Sequence, residues 1–226
     1  MPISNRQLPW LTALSAALAI LAQVGALPAS LAYVFKPLTT VLIIACAWSR
    51  GATQPRQRRA VHAGLVLSLI GDVALLWPKE GFVPGLIAFL LAHLAYIAAF
   101  CMPVRLAARP AVFVVYGVVA ALILVQLWSG VPAALRLPVL AYVVCLSTMG
   151  AQAAVWWRAS VVRPDAPLAR RAAIGGVLFM VSDSLLAIDK FAFPLPLAPL
   201  WILASYWFAQ SCIARSLAAG ARATSP

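Results

Sequence analysis

The chain has 226 residues, of which 64% are hydrophobic and only 10% charged, and its formal net charge is +12. So few charges cannot cover a soluble globular surface, so the composition excludes a water-soluble domain and specifies a polytopic membrane protein. In a soluble chain the positive charge would point to nucleic acid; here the placement of the basic residues accounts for it without such a partner.

Cutting the chain at its charged and proline-rich breaks predicts eight apolar helices, over residues 8–27, 31–48, 61–77, 82–102, 111–130, 136–156, 172–193 and 197–218. Most reach the ~20 residues that cross a ~30 Å hydrocarbon core. The connections are short, so the expectation is one all-α domain over residues 1–226, a bundle of eight transmembrane helices. Only Arg6 precedes the first segment, and its apolar run exceeds the roughly 7–15 residues of a signal peptide core, which predicts a retained helix. The second helix carries Lys36 followed by Pro37, a step expected to loosen local backbone hydrogen bonding. The third and seventh hold a near-repeat, LSLIGDVALL around Asp72 and LFMVSDSLLA around Asp183. Each is the third helix in a set of four, which fits a parallel four-plus-four repeat.

Topology follows from the arginines. Arg6, Arg50, Arg56, Arg58, Arg59, Arg105, Arg109, Arg158, Arg163, Arg170, Arg171, Arg215 and Arg222 all fall on the side of the termini, whereas the opposite loops hold only Lys79, Arg136 and Lys190. The positive-inside rule therefore places both termini in the cytoplasm, across the inner membrane if the source is bacterial. Trp10, Trp48, Trp77, Trp128, Trp156, Trp157 and Trp201 lie near segment ends and read as interfacial anchors. Glu80, Asp165 and Asp189 read as surface or rim groups. The four cysteines, Cys46, Cys101, Cys145 and Cys212, show no metal-ligand or redox spacing and read as packing residues.

Function is expected at the buried charges. An ionisable group at mid-bilayer costs ~2.5–3.5 kcal/mol even on the lenient insertion scale, so Asp72 and Asp183 mark an interior site. Each follows the first apolar residue of its segment by eleven positions, which places it ~16 Å from the cytoplasmic end at the rise of an α-helix. Lys36, His93, Tyr206 and Gln210 fall at similar depth. The spacings put Ser68 with Asp72, and Gly85 and Phe89 with His93 and Tyr96. The same rule puts Phe179 and Asp183 with Lys190, and Tyr206 with Gln210, each set on one helix face. Gly71, Gly85, Gly175 and Gly176 allow close helix approach. The plain alternative is that the aspartates are structural glue, with Lys36 paired to one of them. Ser68, Tyr96, Tyr142, Tyr206 and Gln210 are each compatible with ordinary interhelical hydrogen bonding.

Two carboxyls on one desolvated cavity supply a proton donor beside an ionised partner. Such a pair suits acid-catalysed addition of water to an enol ether, and needs neither a metal nor an organic cofactor. The same pair would also serve a proton-coupled lipid or small-molecule transporter.

Lys36-Pro37, Ser68-x-x-Gly71-Asp72, the Phe82 to Tyr96 series with Gly85, Phe89 and His93, Phe179-x-x-Ser182-Asp183 and Tyr206-x-x-x-Gln210 resemble the YhhN family of eight-helix membrane proteins. The resemblance runs over essentially the whole chain. It implies hydrolysis of the vinyl ether bond of a lysoplasmalogen, a lysophospholipid held in the bilayer, to a fatty aldehyde and a glycerophosphoethanolamine or glycerophosphocholine. It further implies that Asp72 and Asp183 are the acid/base pair, with Lys36, His93 and Tyr206 around them. Ser68, Tyr96, Ser182, Lys190 and Gln210 complete the expected substrate contacts, and Lys36 or Lys190 is the expected cation for the phosphate.

Overall fold

A computed structural model of the protein describes residues 7–50, 54–77 and 79–218. Arg6 and Arg222 of the charge distribution lie outside the described residues. Among those described there are eight helices: α1 (Leu8–Gln23), α2 (Ser30–Trp48), α3 (Pro55–Ala74), α4 (Phe82–Cys101), α5 (Pro110–Leu127), α6 (Ala133–Ser160), α7 (Ala166–Phe191) and α8 (Ala198–Ala214). Five of them, α2, α4, α5, α6 and α7, are long and apolar enough by length and composition to cross a membrane. The expected all-helical membrane bundle is therefore the observed class.

Prolines start several helices where the sequence breaks: α1, α3, α5, α7 and α8 each have Pro in the first two positions, where its missing N–H costs nothing. Two helices begin six residues earlier than hydropathy predicts. α3 starts at Pro55 and α7 at Ala166, because Arg56, Arg58, Arg59, Arg170 and Arg171 are good helix formers that continue the backbone ladder beyond the apolar run. α2 runs through Pro37 without a break. Beside the proline, the hydroxyls of Ser15 and Thr39 both reach the Phe35 carbonyl, at 3.1 and 2.7 Å, and lie 2.8 Å from one another, joining α1 to α2.

Seven helices pack in a ring, each against the next, in the order α1, α2, α3, α4, α6, α7, α8. α8 closes it by touching α1, α2 and α3, while α5 lies outside against α6 with an edge on α7. Small residues set the close crossings. A Cβ on Gly176 would come within 3.1 Å of the Gly150 Cα, and one on Gly175 within 2.9 Å of the Ala209 carbonyl, so α7 meets α6 and α8 nearly backbone to backbone. On α3, a Cβ at Gly71 would lie 2.5 Å from the Phe89 ring. The outward faces stay apolar: Val114, Val125, Leu137 and Phe208 are all exposed, as lipid-facing residues must be.

Arg50 donates to the Leu217 carbonyl at 3.3 Å and Arg171 to that of Arg215 at 3.2 Å, so these arginines share one end of the bundle. At that end Gln152, fully buried, donates to the Phe100 and Val104 carbonyls and accepts from the Ala107 N–H. It holds the α4–α5 loop, where Ala107 takes a left-handed φ of 53°. Six of the seven predicted anchor tryptophans are exposed, but Trp156 is not. It is only 2% exposed, because its indole N–H donates at 2.9 Å to Asp165, which also accepts from Ser160 at 3.0 Å. Asp165 is thus a loop fastener rather than a free rim charge. Partial burial pushes its carboxyl up, but those two hydrogen bonds and the Arg163 charge outweigh it and hold it below the usual carboxylate range.

Candidate active site

The third and seventh helices bring Asp72 and Asp183 to one cavity of about 350 Å³, lined by both together with Lys36, Tyr142, Ser182, Lys190 and Tyr206. Gln23, Ser147, Ser184 and Asp189 also line it, and the rest of its wall is apolar. Leu75 comes from the segment after α3 and Phe82, Leu86 and Phe89 from α4, while Ala120, Ile123, Leu124 and Leu127 come from one stripe of α5. Val139, Val143, Leu146 and Met180 join it from α6 and α7, and Ile202 and Leu203 from α8.

Each carboxylate sits in its own hydrogen-bonded shell. Asp72 is 2% exposed, and its Oδ2 accepts from the Thr40 hydroxyl at 2.5 Å and the Tyr206 hydroxyl at 2.8 Å. The Trp207 indole donates to Thr40 at 3.2 Å. On the other side, Tyr96 donates to the Gln210 carbonyl at 2.7 Å and the Gln210 amide donates to Tyr206 at 3.2 Å. Asp72 therefore ends a buried chain running through α4, α8 and α3, in which every member is satisfied, the condition for a buried network to be rigid. Asp183 accepts from Tyr142 at 2.5 Å on Oδ2, and the same oxygen is 3.6 Å from His93 Nε2. His93 Nε2 is also 3.1 Å from the Tyr142 hydroxyl. His93 and Tyr206 are each in edge contact with the Phe179 ring, at centroid distances of 4.6 and 5.4 Å, so an aromatic wall carries one shell into the other.

Not every residue singled out in the sequence faces the cavity. Among the predicted substrate contacts, Lys36, Ser182, Lys190 and Tyr206 line it. Ser68, His93, Tyr96 and Gln210 stand behind the lining as fully buried supports. Ser68 lies beside Tyr96 and makes no hydrogen bond of normal geometry among the described residues. Ser182 donates to the Ile202 carbonyl at 3.0 Å and ties α7 to α8. Lys36 feels the charge of Asp72 but does not come within ion-pair distance of it, so the glue reading loses its pair.

The depth differs from the sequence estimate. Because α3 and α7 begin earlier, each aspartate lies seventeen residues into its helix, ~25 Å along it. Asp72 is two residues from the end of α3 and Asp183 eight from the end of α7. The site therefore occupies the half of the bundle away from the arginine-rich end. Two contributors were not among the residues expected in the site: Thr40, and Tyr142, which the sequence marked only as an interhelical hydrogen bonder. Thr40 follows Lys36 by one helical turn, a usable signal; Tyr142 sits on a helix with no polar stripe around it, so only the fold reveals its place.

Chemically, the arrangement offers two carboxyls to one water-poor chamber, each held by hydroxyl donors, with an imidazole beside one and an ammonium near the other. That is a proton donor and acceptor set on a largely apolar cavity.

Comparison with known proteins gives the same direction. The YhhN family model matches residues 31–217. The chain is 35% identical over 170 residues to lysoplasmalogenase TMEM86A from Bos taurus, covering 73% of this chain and 67% of that protein. It is 35% identical over 215 residues to lysoplasmalogenase TMEM86B from Homo sapiens, covering 95% and 78%. With a lysoplasmalogenase from Mycobacterium tuberculosis it shares 35% identity over 164 residues, 70% of this chain and 59% of the relative. No solved structure matches the chain.

Proposed function

We infer the function from one premise: the chain belongs to the YhhN family, and it is an integral, multi-pass membrane protein. It is a lysoplasmalogenase that hydrolyses the vinyl ether bond of a lysophospholipid, releasing a fatty aldehyde and a glycerophospho base. The observation that carries this reading is the shared cavity, where Asp72 and Asp183 meet one apolar slot.

The reaction needs a proton at carbon first. One aspartic acid protonates the β-carbon of the enol ether, and the α-carbon becomes an oxocarbenium ion stabilised by the ionised partner. That partner then takes a proton from water as the oxygen adds to the α-carbon. The hemiacetal collapses, its ether oxygen leaving with a proton as the glycerol hydroxyl and its hydroxyl becoming the aldehyde. Tyr206 and Thr40 fix the Asp72 carboxyl, and Tyr142 fixes that of Asp183, so both are held in place on the slot they line. His93 Nε2 stands 3.6 Å from the Asp183 carboxylate and holds its position beside the reacting group. The stripe of α5 closes the slot against lipid and receives the alkenyl chain.

The arginine-rich end faces the cytoplasm in this reading, and residues 1–226 act as one transmembrane domain. A transporter would use broken helices at its midpoint, whereas α2, α3 and α7 run unbroken through Lys36, Asp72 and Asp183.

The test is purified protein in detergent with lysoplasmenylethanolamine, measuring aldehyde. Release supports the reading; an inactive preparation that moves lipid or protons across liposomes refutes it. Tyr206→Phe and Thr40→Val each remove one donor to Asp72, and each is expected to lower kcat about 10- to 100-fold with little change in KM, the size of a lost preorganised hydrogen bond. An equal rise in KM instead would make these groups substrate contacts. Leu124→Trp fills the α5 side of the slot, and is expected to raise KM several-fold for long alkenyl chains while sparing short ones. A uniform effect across chain lengths would place the tail elsewhere.

A further inference from the structure

Lys190 and Asp189, consecutive residues at the end of α7, both line the cavity at the end away from the arginines. Neither takes part in the acid/base chemistry. The Lys190 Nζ stands 4.1 Å above the Phe82 ring, held at the mouth of the cavity by a cation–π contact. Asp189 uses Oδ1 to accept the Leu195 N–H at 2.8 Å, which fixes the α7–α8 loop and leaves Oδ2 free of protein partners among the described residues. The two charged groups make no ion pair with one another. A cation and an anion are thus carried side by side on the lining of one cavity.

We propose that the Asp189–Lys190 pair recognises a zwitterionic headgroup, Lys190 taking the phosphate and Asp189 the ammonium of the lysolipid. This rests on the reading of the cavity as the lysophospholipid site. Distance supports it. Lys190 follows Asp183 by seven residues, two turns on the same face and ~10 Å along the axis. In the substrate, six skeletal bonds separate the α-carbon of the enol ether from phosphorus, ~7 Å when extended at ~3.5 Å per three bonds. A hydrogen bond of ~2.8 Å closes the remaining gap. With the reacting carbon at Asp183, the phosphate reaches Lys190. Phosphate and ammonium are a few bonds apart in ethanolamine and choline headgroups, matching charges carried on adjacent residues. Lys36 is the poorer phosphate site, because it lies near Asp72, at the acid end of the slot.

Three substrates separate the two contacts: 1-alkenyl-glycerophosphoethanolamine, 1-alkenyl-glycerol-3-phosphate and uncharged 1-alkenylglycerol, each measured as kcat/KM for aldehyde release. Lys190→Gln is expected to lower the preference for the phosphoethanolamine substrate over the uncharged one about tenfold or more, as for one charge-assisted contact. Asp189→Asn keeps an acceptor for the Leu195 N–H, and is expected to shift preference several-fold toward the glycerol phosphate. If both variants keep the wild-type preferences, or if Lys36→Gln abolishes them instead, the proposal is overturned. Binding of saturated alkyl-ether analogues, which cannot be hydrolysed, reads the same contacts without turnover. Tighter binding of the phosphoethanolamine ether than of the alkylglycerol, lost in Lys190→Gln, supports the headgroup site even if no aldehyde forms. Equal binding of the two by the wild type refutes it whatever the activity.

Discussion

Asp72→Asn and Asp183→Asn are each expected to abolish aldehyde release, with kcat down at least ~10³-fold and the protein still folded. A positioned general acid or base contributes ~10²–10⁴-fold to such a reaction, and groups that act as a unit are lost together. Asparagine keeps the shape and can still accept from Thr40 and Tyr206, or from Tyr142. What it loses is the exchangeable proton and the negative charge. The double variant should therefore be little worse than either single one. Thermal unfolding and size exclusion in detergent check the fold, and aldehyde release checks the chemistry. Retention of more than a tenth of wild-type activity in either single variant would remove that carboxyl from the mechanism. A multiplicative loss in the double variant would show two independent contributions instead of one acid/base couple.

Gly81→Ala is expected to lower Tm by roughly 5–10 °C and kcat by at least about tenfold, consistent with ~1–3 kcal/mol of overpacking in a chain of this size. A Cβ at Gly81 would lie 1.8 Å from the Ala74 carbonyl oxygen and 2.8 Å from that of Trp77. These are backbone atoms, so no rotamer change relieves the clash. The turn joining α3 to α4 must move, and Ala74 is two residues from Asp72. Displacing the end of α3 strains the hydrogen bonds from Thr40 and Tyr206 that aim the carboxylate. Gly117→Ala is the control of opposite sign. It lies on the exposed face of α5 with open space around it, so the loss of backbone freedom in the unfolded chain is expected to stabilise by ~0.5–1 kcal/mol. Equal melting temperatures for the two variants would show that the α3–α4 turn accommodates the methyl group by moving freely.

The eight helices were legible because hydropathy and proline placement both act locally. Gaps between apolar runs fell close to the observed breaks at 24–29, 75–81 and 128–132. The helix starts of α3 and α7 were not legible from hydropathy. Partition into lipid decides which residues are apolar, but backbone hydrogen bonding decides where a helix begins, and arginines prolong it into the interface. That six-residue difference places both aspartates past the midpoints of their helices. Trp156 shows the same limit: its position near a segment end suggested an anchor, yet an acceptor five residues beyond Ser160, Asp165, drew its indole inward.

The sequence alone determined that this chain lives in a bilayer and that two carboxylates, Asp72 and Asp183, fall inside its apolar runs, where a charge is costly. Those conclusions follow from transfer energies, which belong to each residue. Only the tertiary structure decided that Thr40 and Tyr142 hold the two acids, that Lys36 stands clear of an ion pair, and that His93, Tyr96 and Gln210 act from behind the cavity wall. The order in which α8 closes on α1, α2 and α3, and the seating of α5 outside the ring, set those partners. Hydrogen bonds between helices depend on angles and distances of a few tenths of an ångström, fixed by glycine contacts far apart in the chain, and no local pattern encodes them.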